Sequence, residues 1–524
     1  MRCKSSRRPV PMQTRYDAII IGGGHNGLVA ACYLAAAGKT VLILEKNRSL
    51  GGASVSHPLF PDYEARISRY AYLVSLFPSR IIRELGLNLR LRPRSIASYT
   101  PHGAGAGLLI SNENPALTER EIRKLGAGEW RGYQALMEKQ RAFAAIVWDS
   151  LLEPLKSRAD WHRIFRSAGR PELWREFVER PIGELIETHI SSDLLRGILF
   201  TDGKIGANAG ANDSSLLQNR TYLYHVIGNG SGEWLVPEGG MGRIAEQLAG
   251  QARNAGVDWQ TEAEVIGTTS VNGHKVVAFR HRGAEFEIQA SHLLWNATPP
   301  CRRQPDPSGI DEGTSFKINM LVKRLPQPAN RWVTPQQAFA GTFHIDEGYA
   351  QLEAAWQSAK RGRIPDTPAG EIYCHTLTDP TILSDELARN GYHTLTYFGL
   401  DLPYTLFTED NEAAKKTVVT RVLKGLNRYL AEPLESCLAT DRDGRACLEA
   451  KSPVDLELEL GLPRGNIFHK GLSWFFAEKD AEVGRYGVET GRRNEWICGA
   501  SARRGGAVSG IPGRNAAMAI LKSP

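Results

Sequence analysis

The stretch YDAIIIGGGHNGLVAACYLAAAGKTVLILEKNRSLGG, residues 16–52, decides the fold of the first part of this chain. Residues 17–21 are an apolar run typical of a β-strand, residues 26–37 follow a helical pattern that ends at Gly38, and residues 40–44 form a second apolar run. These elements predict a βαβ unit, and the turn between the first strand and the helix has the glycine spacing GxGxxG.

The glycines and the acid of this unit predict a dinucleotide site. Gly22 permits the tight turn, Gly24 lets the backbone approach a pyrophosphate, and Gly27 allows close packing of the helix. The helix N-terminus presents unpaired N–H groups and a partial positive charge to the phosphates. Glu45 ends the second strand, where a carboxylate can accept hydrogen bonds from an adenosine ribose and would repel the 2′-phosphate of NADP.

The residues after the second strand favour FAD over NAD. Arg48 and the pair Gly51-Gly52 follow at once, and a second glycine turn extends the phosphate cradle along a flavin dinucleotide. No second GxGxxG follows a strand, because HGAGAG at 102–107 has the wrong spacing and GGMG at 239–242 introduces a helix. We therefore expect no separate NAD(P)H domain, and electrons would leave reduced FAD to oxygen, a quinone or another carrier.

The composition predicts a globular protein of two or more packed units, with 524 residues of which 42% are hydrophobic and 23% charged. Five of the positive charges precede the first acid, Asp17, so the net charge of +7 does not indicate nucleic-acid binding. Residues 1–15 lack the apolar region of a secretory signal and are interpreted as a flexible basic tail. We expect a cytoplasmic protein, with peripheral membrane contact and organelle targeting by this tail as open alternatives.

Cysteine and histidine patterns argue against several kinds of site. The seven cysteines are far apart and include no CxxC pair, which disfavours a disulfide framework, a dithiol redox centre or a structural zinc site. We find no Ser-His-Asp set, HExxH helix or paired-carboxylate signature, and we expect no metal site. His225 is interpreted as a structural or surface residue rather than a base.

Along the rest of the chain the pattern predicts a discontinuous α/β architecture. We expect a Rossmann-like FAD-binding domain of the glutathione-reductase type in three parts, residues 16–110, 234–312 and 466–524. An α+β substrate domain, residues 111–233 and 313–465, is inserted between these parts, and its first segment is mostly helical. Thr118 and Glu121 suggest a capping box, and Asn272-Gly273 predicts a hairpin turn in a short β meander.

Four segments resemble the FAD-dependent phytoene desaturase and carotenoid isomerase-like branch of the amine-oxidase superfamily. They are DAIIIGGGHNGLVAACYLAAAGKTVLILEKNRSLGGAS at the start, VPEGGMGRIAEQLA and AEVIGT in the middle, and WICGASARRGGAVSGIPGRNAA at the end. Within that branch the chain is most similar to desaturase-like oxidoreductases and the carotene ketolase group. These segments cover at most about a quarter of the chain.

The resemblance implies FAD lying across the whole unit, with Val265 at the adenine end and the glycine-rich loop before the last helix at the flavin. That helix N-terminus would direct N–H groups toward the pyrimidine edge of the flavin, where negative charge develops on reduction. The full set that we expect to bind FAD is Gly22, Gly24, His25, Asn26, Gly27, Glu45, Lys46, Arg48, Gly51, Gly52, Ala53, Val265, Gly499, Gly506, Val508 and Ser509.

Three further residues are candidates for a role in the reaction. Lys317 matches the superfamily's lysine that holds a water near flavin N5, with an exposed edge-strand lysine as the alternative. Where the family shows a His-Pro pair, this chain has Arg503-Arg504, which could favour a reduced flavin anion or bind an acidic substrate group, or could be solvent-exposed. The segment Trp474-Phe475-Phe476 could form a wall of the cavity or pack in the core.

The resemblance, together with the lack of a recognisable catalytic side-chain motif in the sequence, predicts flavin chemistry. Desaturation removes a hydride and a proton from neighbouring carbons, and no side chain accepts a hydride. We therefore expect hydride transfer from a lipophilic small molecule, with carotenoids and other isoprenoids as candidates, to flavin N5. A redox-neutral isomerase, an amine oxidase and a non-catalytic flavoprotein remain alternatives.

Overall fold

The computed structural model describes residues 13–103, 105–299 and 311–522. The predicted basic tail, residues 1–15, lies outside the described residues apart from residues 13–15. The strands are β1 (Arg15–Ile21), β2 (Val41–Leu44), β3 (Ser56–Pro58), β4 (Arg66–Ser68), β5 (Leu91–Arg92), β6 (Ile96–His102), β7 (Ala106–Ser111), β8 (Val236–Pro237), β9 (Asp258–Gln260), β10 (Ala263–Val271), β11 (His274–His281), β12 (Ala284–Trp295), β13 (Phe316–Val322), β14 (Thr342–Ile345), β15 (Gly370–Tyr373), β16 (His393–Gly399), β17 (Leu448–Lys451) and β18 (Glu495–Ile497).

The helices follow the same chain order. They are α1 (His25–Ala36), α2 (Ser79–Glu84), α3 (Pro115–Arg123), α4 (Glu129–Val147), α5 (Arg158–Ser167), α6 (Pro171–Trp174), α7 (Ile182–His189), α8 (Asp193–Phe200), α9 (Leu217–Val226), α10 (Gly242–Asn254), α11 (Pro335–Phe339), α12 (Tyr349–Lys360), α13 (Asp385–Arg389), α14 (Asn411–Asn427), α15 (Pro453–Leu460) and α16 (Ile511–Lys522).

The first sheet confirms the predicted Rossmann-like α/β fold. Its strand order is β10-β11-β12-β1-β2-β9, with β18 beside the end of β12. β1 pairs in parallel with β2 and with β12, and β2 is buried along its whole length. A parallel strand covered on both faces requires a continuous apolar run, which VLIL supplies. The Asn272-Gly273 hairpin joins β10 and β11 as predicted, with positive φ at both residues.

The second sheet is mostly antiparallel, and it recruits strands from two distant parts of the chain. Its order is β17-β13-β16-β15-β14-β6-β7. β6 pairs in parallel with β14, so Tyr99 lies opposite Phe343. The expectation that residues 16–110 belong to the FAD-binding part is therefore wrong for β6 and β7, because their ladder hydrogen bonds go to the second sheet. The other domain boundaries stay predictions.

Helices α3–α9 form the predicted helical region. Phe143, Phe165 and Phe177 are fully buried in the largest core cluster, where aromatic rings of several helices pack on each other. The capping box predicted at Thr118 and Glu121 is wrong. Asn114 caps α3 instead, accepting a hydrogen bond from the backbone N–H of Leu117 at 3.0 Å, whereas the Thr118 hydroxyl bonds to the Ser111 backbone.

The last helix returns to the beginning of the chain. α16 packs along α1 so closely that a Cβ at Gly513 would lie 2.1 Å from the carbonyl oxygen of Asn26. The N-terminal and C-terminal segments therefore form one layer against the first sheet. The cysteines 32, 374, 437, 447 and 498 are buried and unpaired. In the described ranges no helix is both long enough and apolar enough to cross a bilayer.

Candidate functional site

A cavity of about 550 Å³ opens between the first and second sheets. Its walls come from β1, β2, β12 and the loops of the first sheet on one side, and from β13 and β16 on the other. The predicted site residues that line it are Gly22, Gly24, His25, Asn26, Glu45, Lys46, Gly52, Ala53, Val265, Lys317 and Val508. Residues that lie nearly five hundred positions apart in the sequence, such as Gly22 and Val508, thus line one space.

The glycine turn has the geometry that a close backbone approach requires. Gly22 has φ of +99°, a backbone conformation that residues with a side chain rarely adopt. A Cβ at Gly27 would lie 2.5 Å from the Gly22 carbonyl oxygen, and a Cβ at Gly24 would lie 3.0 Å from Nδ2 of Asn296. Gly51 donates to the Gly23 carbonyl at 2.9 Å, so the second glycine turn packs directly on the first. The two turns form one continuous cradle.

The N-terminus of α1 faces this cradle without a side-chain cap among the described residues. Its first N–H groups are therefore available to an anion. The buried side-chain oxygen of Asn26 also lacks a hydrogen-bond partner in the part of the chain that the structure describes. The uncapped helix end beside the cavity fits the pyrophosphate of a dinucleotide, because its N–H groups can donate to phosphate oxygens.

His25 joins the cradle to the C-terminal loop. Its Nδ1 lies 3.3 Å from the Ser54 hydroxyl and its Nε2 lies 3.1 Å from the carbonyl oxygen of Ala507. Burial lowers the pKa of His25 to about 4, so the ring is neutral at physiological pH. Both ring nitrogens have protein partners, and His25 therefore holds two segments together rather than moving protons.

Glu45 is buried at the end of β2 and faces the cradle. Its carboxylate accepts hydrogen bonds from the backbone N–H of Gly23 at 2.7 Å and of Asn47 at 2.8 Å. A carboxylate has about four acceptor positions, so two remain for the hydroxyl groups of a ribose. Val265 lies nearby on β10 at a β-bulge and completes this end of the cavity.

Lys317 forms part of the opposite end. Its Nζ donates to the carbonyl oxygens of Ser68 and Tyr70, both at 2.7 Å, and lies 5.2 Å from the centre of the Tyr72 ring. Burial lowers the pKa of Lys317 well below its usual range. The alternative of an exposed edge-strand lysine is wrong, because β13 is an interior strand and the side chain is 5% exposed. The third hydrogen-bonding position of the amine has no partner among the described residues and can bind a ligand or water.

Arg503 and Arg504 do not face the cavity, contrary to the prediction of a flavin-side role. Arg503 forms ion pairs with Glu478 and Glu482. Arg504 is 3% exposed and donates to the carbonyl oxygens of Phe475 and Leu151, each at 3.1 Å. The alternative of solvent exposure is wrong as well, because Arg503 pairs with acids of the segment that precedes β18 and Arg504 donates to the helical region at Leu151.

Other candidate residues also lie away from the cavity surface. Trp474, Phe475 and Phe476 pack among aromatic residues such as Trp174, which makes them core residues. The Arg48 side chain is 92% exposed and pairs with Glu262 at 3.5 Å. The remaining predicted residues, which support the cradle and the C-terminal loop without lining the cavity, are Gly27, Gly51, Gly499, Gly506 and Ser509.

We predict that Arg503→Gln leaves FAD affinity and flavin reduction within about twofold of the wild type but destabilises the fold by about 1 kcal/mol, because it breaks two ion pairs between a largely buried guanidinium and partly exposed acids. Arg282→Gln is the matched control, because Arg282 is exposed and its ion pair with Glu262 is long, at 3.9 Å, and therefore weak. Chemical denaturation and flavin titration of both variants measure the two effects. A tenfold loss of flavin reduction without loss of stability would instead support a role at the flavin.

Three cavity residues were not identified from the sequence. Asn296 follows β12 and donates through Nδ2 to the Gly22 carbonyl oxygen at 2.9 Å, which fixes the glycine turn. The buried Ser315 hydroxyl lines the cavity and has no hydrogen-bond partner within the described ranges. Tyr72 lies under Lys317. Only the parallel pairing of β1 with β12 would have located Asn296, and no local pattern marks the other two.

Comparison with known proteins agrees with this geometry. A family model described as NAD(P)-binding Rossmann-like domain matches residues 20–80. Uncharacterized protein Rv0897c of Mycobacterium tuberculosis (strain ATCC 25618 / H37Rv) is 42% identical over 519 residues, covering 97% of each chain. Pyridine nucleotide-disulfide oxidoreductase domain-containing protein 2 of Rattus norvegicus is 28% identical over 98% of this chain and 94% of its own.

More distant similarities concern a carotenoid enzyme and an amine oxidase. Chloroplastic prolycopene isomerase of Daucus carota is 22% identical over 86% of this chain and 73% of its own. A mutant of putrescine oxidase with redesigned cofactor binding superposes with a TM-score of 0.56 at 18% identity, over 97% of this chain and 99% of the other. The chain therefore belongs to the family of the mycobacterial protein Rv0897c, and its fold is similar to that of this putrescine oxidase.

Proposed function

We propose that the chain binds FAD and oxidises a neutral, lipophilic small molecule by hydride transfer to the flavin. One observation carries the proposal. The dinucleotide cradle at Gly22 and Gly24 is continuous with a largely apolar and aromatic space that contains Tyr72, Phe398 and Phe468. A cofactor and an apolar substrate can therefore share one cavity.

FAD fits the residues of the cradle. The glycine turn and the N-terminus of α1 would bind the pyrophosphate, Glu45 would accept from the adenosine ribose, and Val265 would lie at the adenine end. The C-terminal loop with Ala507 and Val508 would adjoin the flavin ring. Bound FAD supplies a hydride acceptor, which no side chain of the chain can provide.

The charge of the cavity wall favours a neutral substrate over an amine. Among the described lining residues the acids are Glu45, Glu264 and Glu457. The first two belong to the dinucleotide end, and Glu457 accepts hydrogen bonds from the Tyr404 hydroxyl and the Arg464 backbone N–H. No described carboxylate thus faces the space beside Lys317, where an alkylammonium would meet an amine instead of an acid.

The chain's own groups orient the substrate and hold polar atoms in place. Lys317 is anchored by two carbonyl oxygens and presents its remaining hydrogen-bonding position to the cavity. His225 also lines the cavity, but its Nδ1 lies 2.8 Å from the Thr221 carbonyl oxygen and its ring stacks on Trp234. Burial lowers the pKa of His225 to about 4, which favours a structural role over proton transfer.

An FAD-dependent isomerase is the second candidate. The similarity to prolycopene isomerase, which extends over 86% of this chain, supports it. Such a reaction would use the same cradle and the same apolar space without a net change in the substrate's oxidation state. Oxygen or a quinone is the proposed electron acceptor of the oxidoreductase, since the sequence offers no second dinucleotide motif.

Anaerobic mixing distinguishes these activities. The FAD-loaded chain is mixed without oxygen with a hydrocarbon polyene, a cyclic monoterpene, a long-chain alkylamine and putrescine, and visible flavin absorbance is recorded. We expect at least one hydrocarbon to bleach the flavin absorbance and neither amine to do so. Mass spectrometry should then show a product that has lost two hydrogen atoms. A rearranged product of unchanged mass would support the isomerase, and bleaching by amines alone would support amine oxidation. Tight FAD binding with neither bleaching nor a rearranged product from any compound would contradict both proposals.

A further inference from the structure

A second cluster of polar side chains is enclosed between the second sheet and the helical region. His344 lies on β14, Glu347 follows it in the loop before α12, and Glu371 lies on β15. Their side chains are 4%, 0% and 3% exposed, and their nitrogen and oxygen ligand atoms lie within 4.8 Å of one another. None of the three lines the cavity described above. Buried ionisable groups in such proximity need a compensating partner.

The imidazole of His344 is oriented for ligation. Its Nδ1 lies 2.7 Å from the Thr100 hydroxyl, which fixes the ring. Its Nε2 lies 3.9 Å from a carboxylate oxygen of Glu347 and 3.9 Å from one of Glu371. Metal-binding histidines commonly have one ring nitrogen fixed by a neighbour while the other faces the ion.

Glu347 is the unpartnered member. Both of its carboxylate oxygens are buried, and neither accepts a hydrogen bond from any residue in the described ranges. Glu371, by contrast, accepts from the Tyr373 hydroxyl and, at 3.5 Å, from the Thr201 hydroxyl. An uncompensated buried carboxylate directed at another carboxylate and an imidazole nitrogen leaves room for a positively charged ligand.

The charges around the cluster are not balanced by protein groups. Asp202 adds a third, partly buried carboxylate, and the cation that acts on the cluster is the buried guanidinium of Arg94. Three carboxylates against one guanidinium leave two uncompensated negative charges when all are ionised. Two shared protons or one divalent cation would restore the balance.

We propose that His344 Nε2, Glu347 and Glu371 bind one divalent first-row transition metal ion. One imidazole and two carboxylates form a donor set suited to Zn²⁺, Mn²⁺ or Fe²⁺. Metal–ligand bonds of about 2.0–2.2 Å place ligand atoms about 3.4 Å apart in a tetrahedron, so the three side chains need to move inward only slightly. The sequence analysis predicted no metal site because these ligands follow no local spacing motif.

Such an ion would stiffen the wall of the cavity rather than take part in its chemistry. The Tyr373 hydroxyl donates to Glu371, and the Tyr373 ring lies 4.6 Å from the ring of Tyr72. Tyr72 lines the cavity beneath Lys317. The ion would also join β14 to β15 next to α8, which packs so closely that a Cβ at Gly197 would lie 1.8 Å from the Glu347 carbonyl oxygen.

Metal analysis of the full-length chain tests this site. The chain is demetallated with a chelator, dialysed with Zn²⁺, Mn²⁺ or Fe²⁺ and analysed by plasma mass spectrometry, with Glu347→Gln and Glu371→Gln in parallel. Glu353→Gln, an exposed glutamate of α12, is the matched control. We expect about one ion per chain in the wild type and the control, a tenfold or greater loss in the two cluster variants, and a metal-induced rise in Tm of roughly 5 °C only where the ion binds.

X-ray absorption of the metal-loaded wild type needs no variant and so remains informative if the cluster variants do not fold. We expect nitrogen and oxygen ligands including one imidazole. Sulfur ligands, equal metal content in Glu347→Gln and the wild type, or no uptake by the wild type would each overturn the proposal. If no sample contained metal and Glu347→Gln folded with higher stability than the wild type, the carboxylates would share protons instead of binding an ion. None of these readouts depends on flavin, so the site and the proposed reaction can fail separately.

Discussion

Gly24→Val is expected to weaken FAD binding by about 100-fold while the chain still folds. Gly24 has φ of −69° and ψ of 171°, which valine adopts readily, so the backbone is not strained. The added Cβ would lie 3.0 Å from Nδ2 of Asn296, and the methyl groups would occupy the cradle in front of α1. Loss of two charge-assisted hydrogen bonds to a pyrophosphate, at about 1.5 kcal/mol or more each, corresponds to this factor.

Flavin titration by fluorescence and far-UV circular dichroism measure binding and folding of this variant. Gly250→Ala is the matched control, because Gly250 lies in α10 with open space around it and no positive φ. The control should bind FAD like the wild type and gain up to about 1 kcal/mol of stability from its higher helix propensity. Wild-type FAD affinity in Gly24→Val would exclude the cradle as the pyrophosphate site.

Lys317→Met is expected to slow flavin reduction by the proposed substrate by about 100-fold with little change in FAD affinity. The amine presents its free hydrogen-bonding position to the cavity, and loss of a positioned proton donor or acceptor has typical effects of this size. Burial holds the pKa of Lys317 well below its usual range, so titration of this amine should appear as one limb of the wild-type pH–rate profile. That limb should be missing from the profile of Lys317→Met. Anaerobic stopped-flow kinetics across pH measures both effects.

Lys451→Met is the matched control. Lys451 lies directly opposite Lys317 on the neighbouring strand β17, where Glu459 and Glu449 pair with it outside the cavity. The rate of flavin reduction in Lys451→Met should stay within about threefold of the wild type, because the lost ion pairs lie outside the cavity. Lys317→Met also leaves the carbonyl oxygens of Ser68 and Tyr70 unpaired, so a lower Tm is expected. A lower Tm with an unchanged rate and pH profile would assign Lys317 a structural role alone.

Local patterns predicted much of the fold, and long-range pairing explains what they missed. The βαβ unit at the start was predictable because strand and helix periodicities follow each other within thirty residues. β6 was assigned to the wrong part of the molecule because its partner β14 lies far along the chain, and nothing near Tyr99 specifies Phe343 as its neighbour. Parallel pairing between distant segments leaves no signal in either segment alone.

The same distinction applies to the cavity. Glycine spacing and the acid at Glu45 indicated a cradle, since each residue type has a backbone or charge requirement that the sequence displays. The direction of a side chain on a loop has no such signature, and Arg503 and Arg504 therefore could point away from the cofactor side toward Glu482 and the Phe475 carbonyl. Asn296 lies in the site because β12, which precedes it, pairs with β1, and this pairing could not be predicted from the local sequence.

The packing of α16 along α1 has a consequence for biosynthesis. Ribosomes add about 5–20 residues per second, so the helix that completes the cofactor layer emerges roughly 25–100 s after its partner. During that interval the α1 surface beneath Gly513 is uncovered, and the carbonyl of Ala507 that meets His25 does not yet exist. We therefore expect the nascent chain to expose the apolar surface of α1 until its own C-terminal segment emerges, and the site beside His25 to be completed only at the end of synthesis.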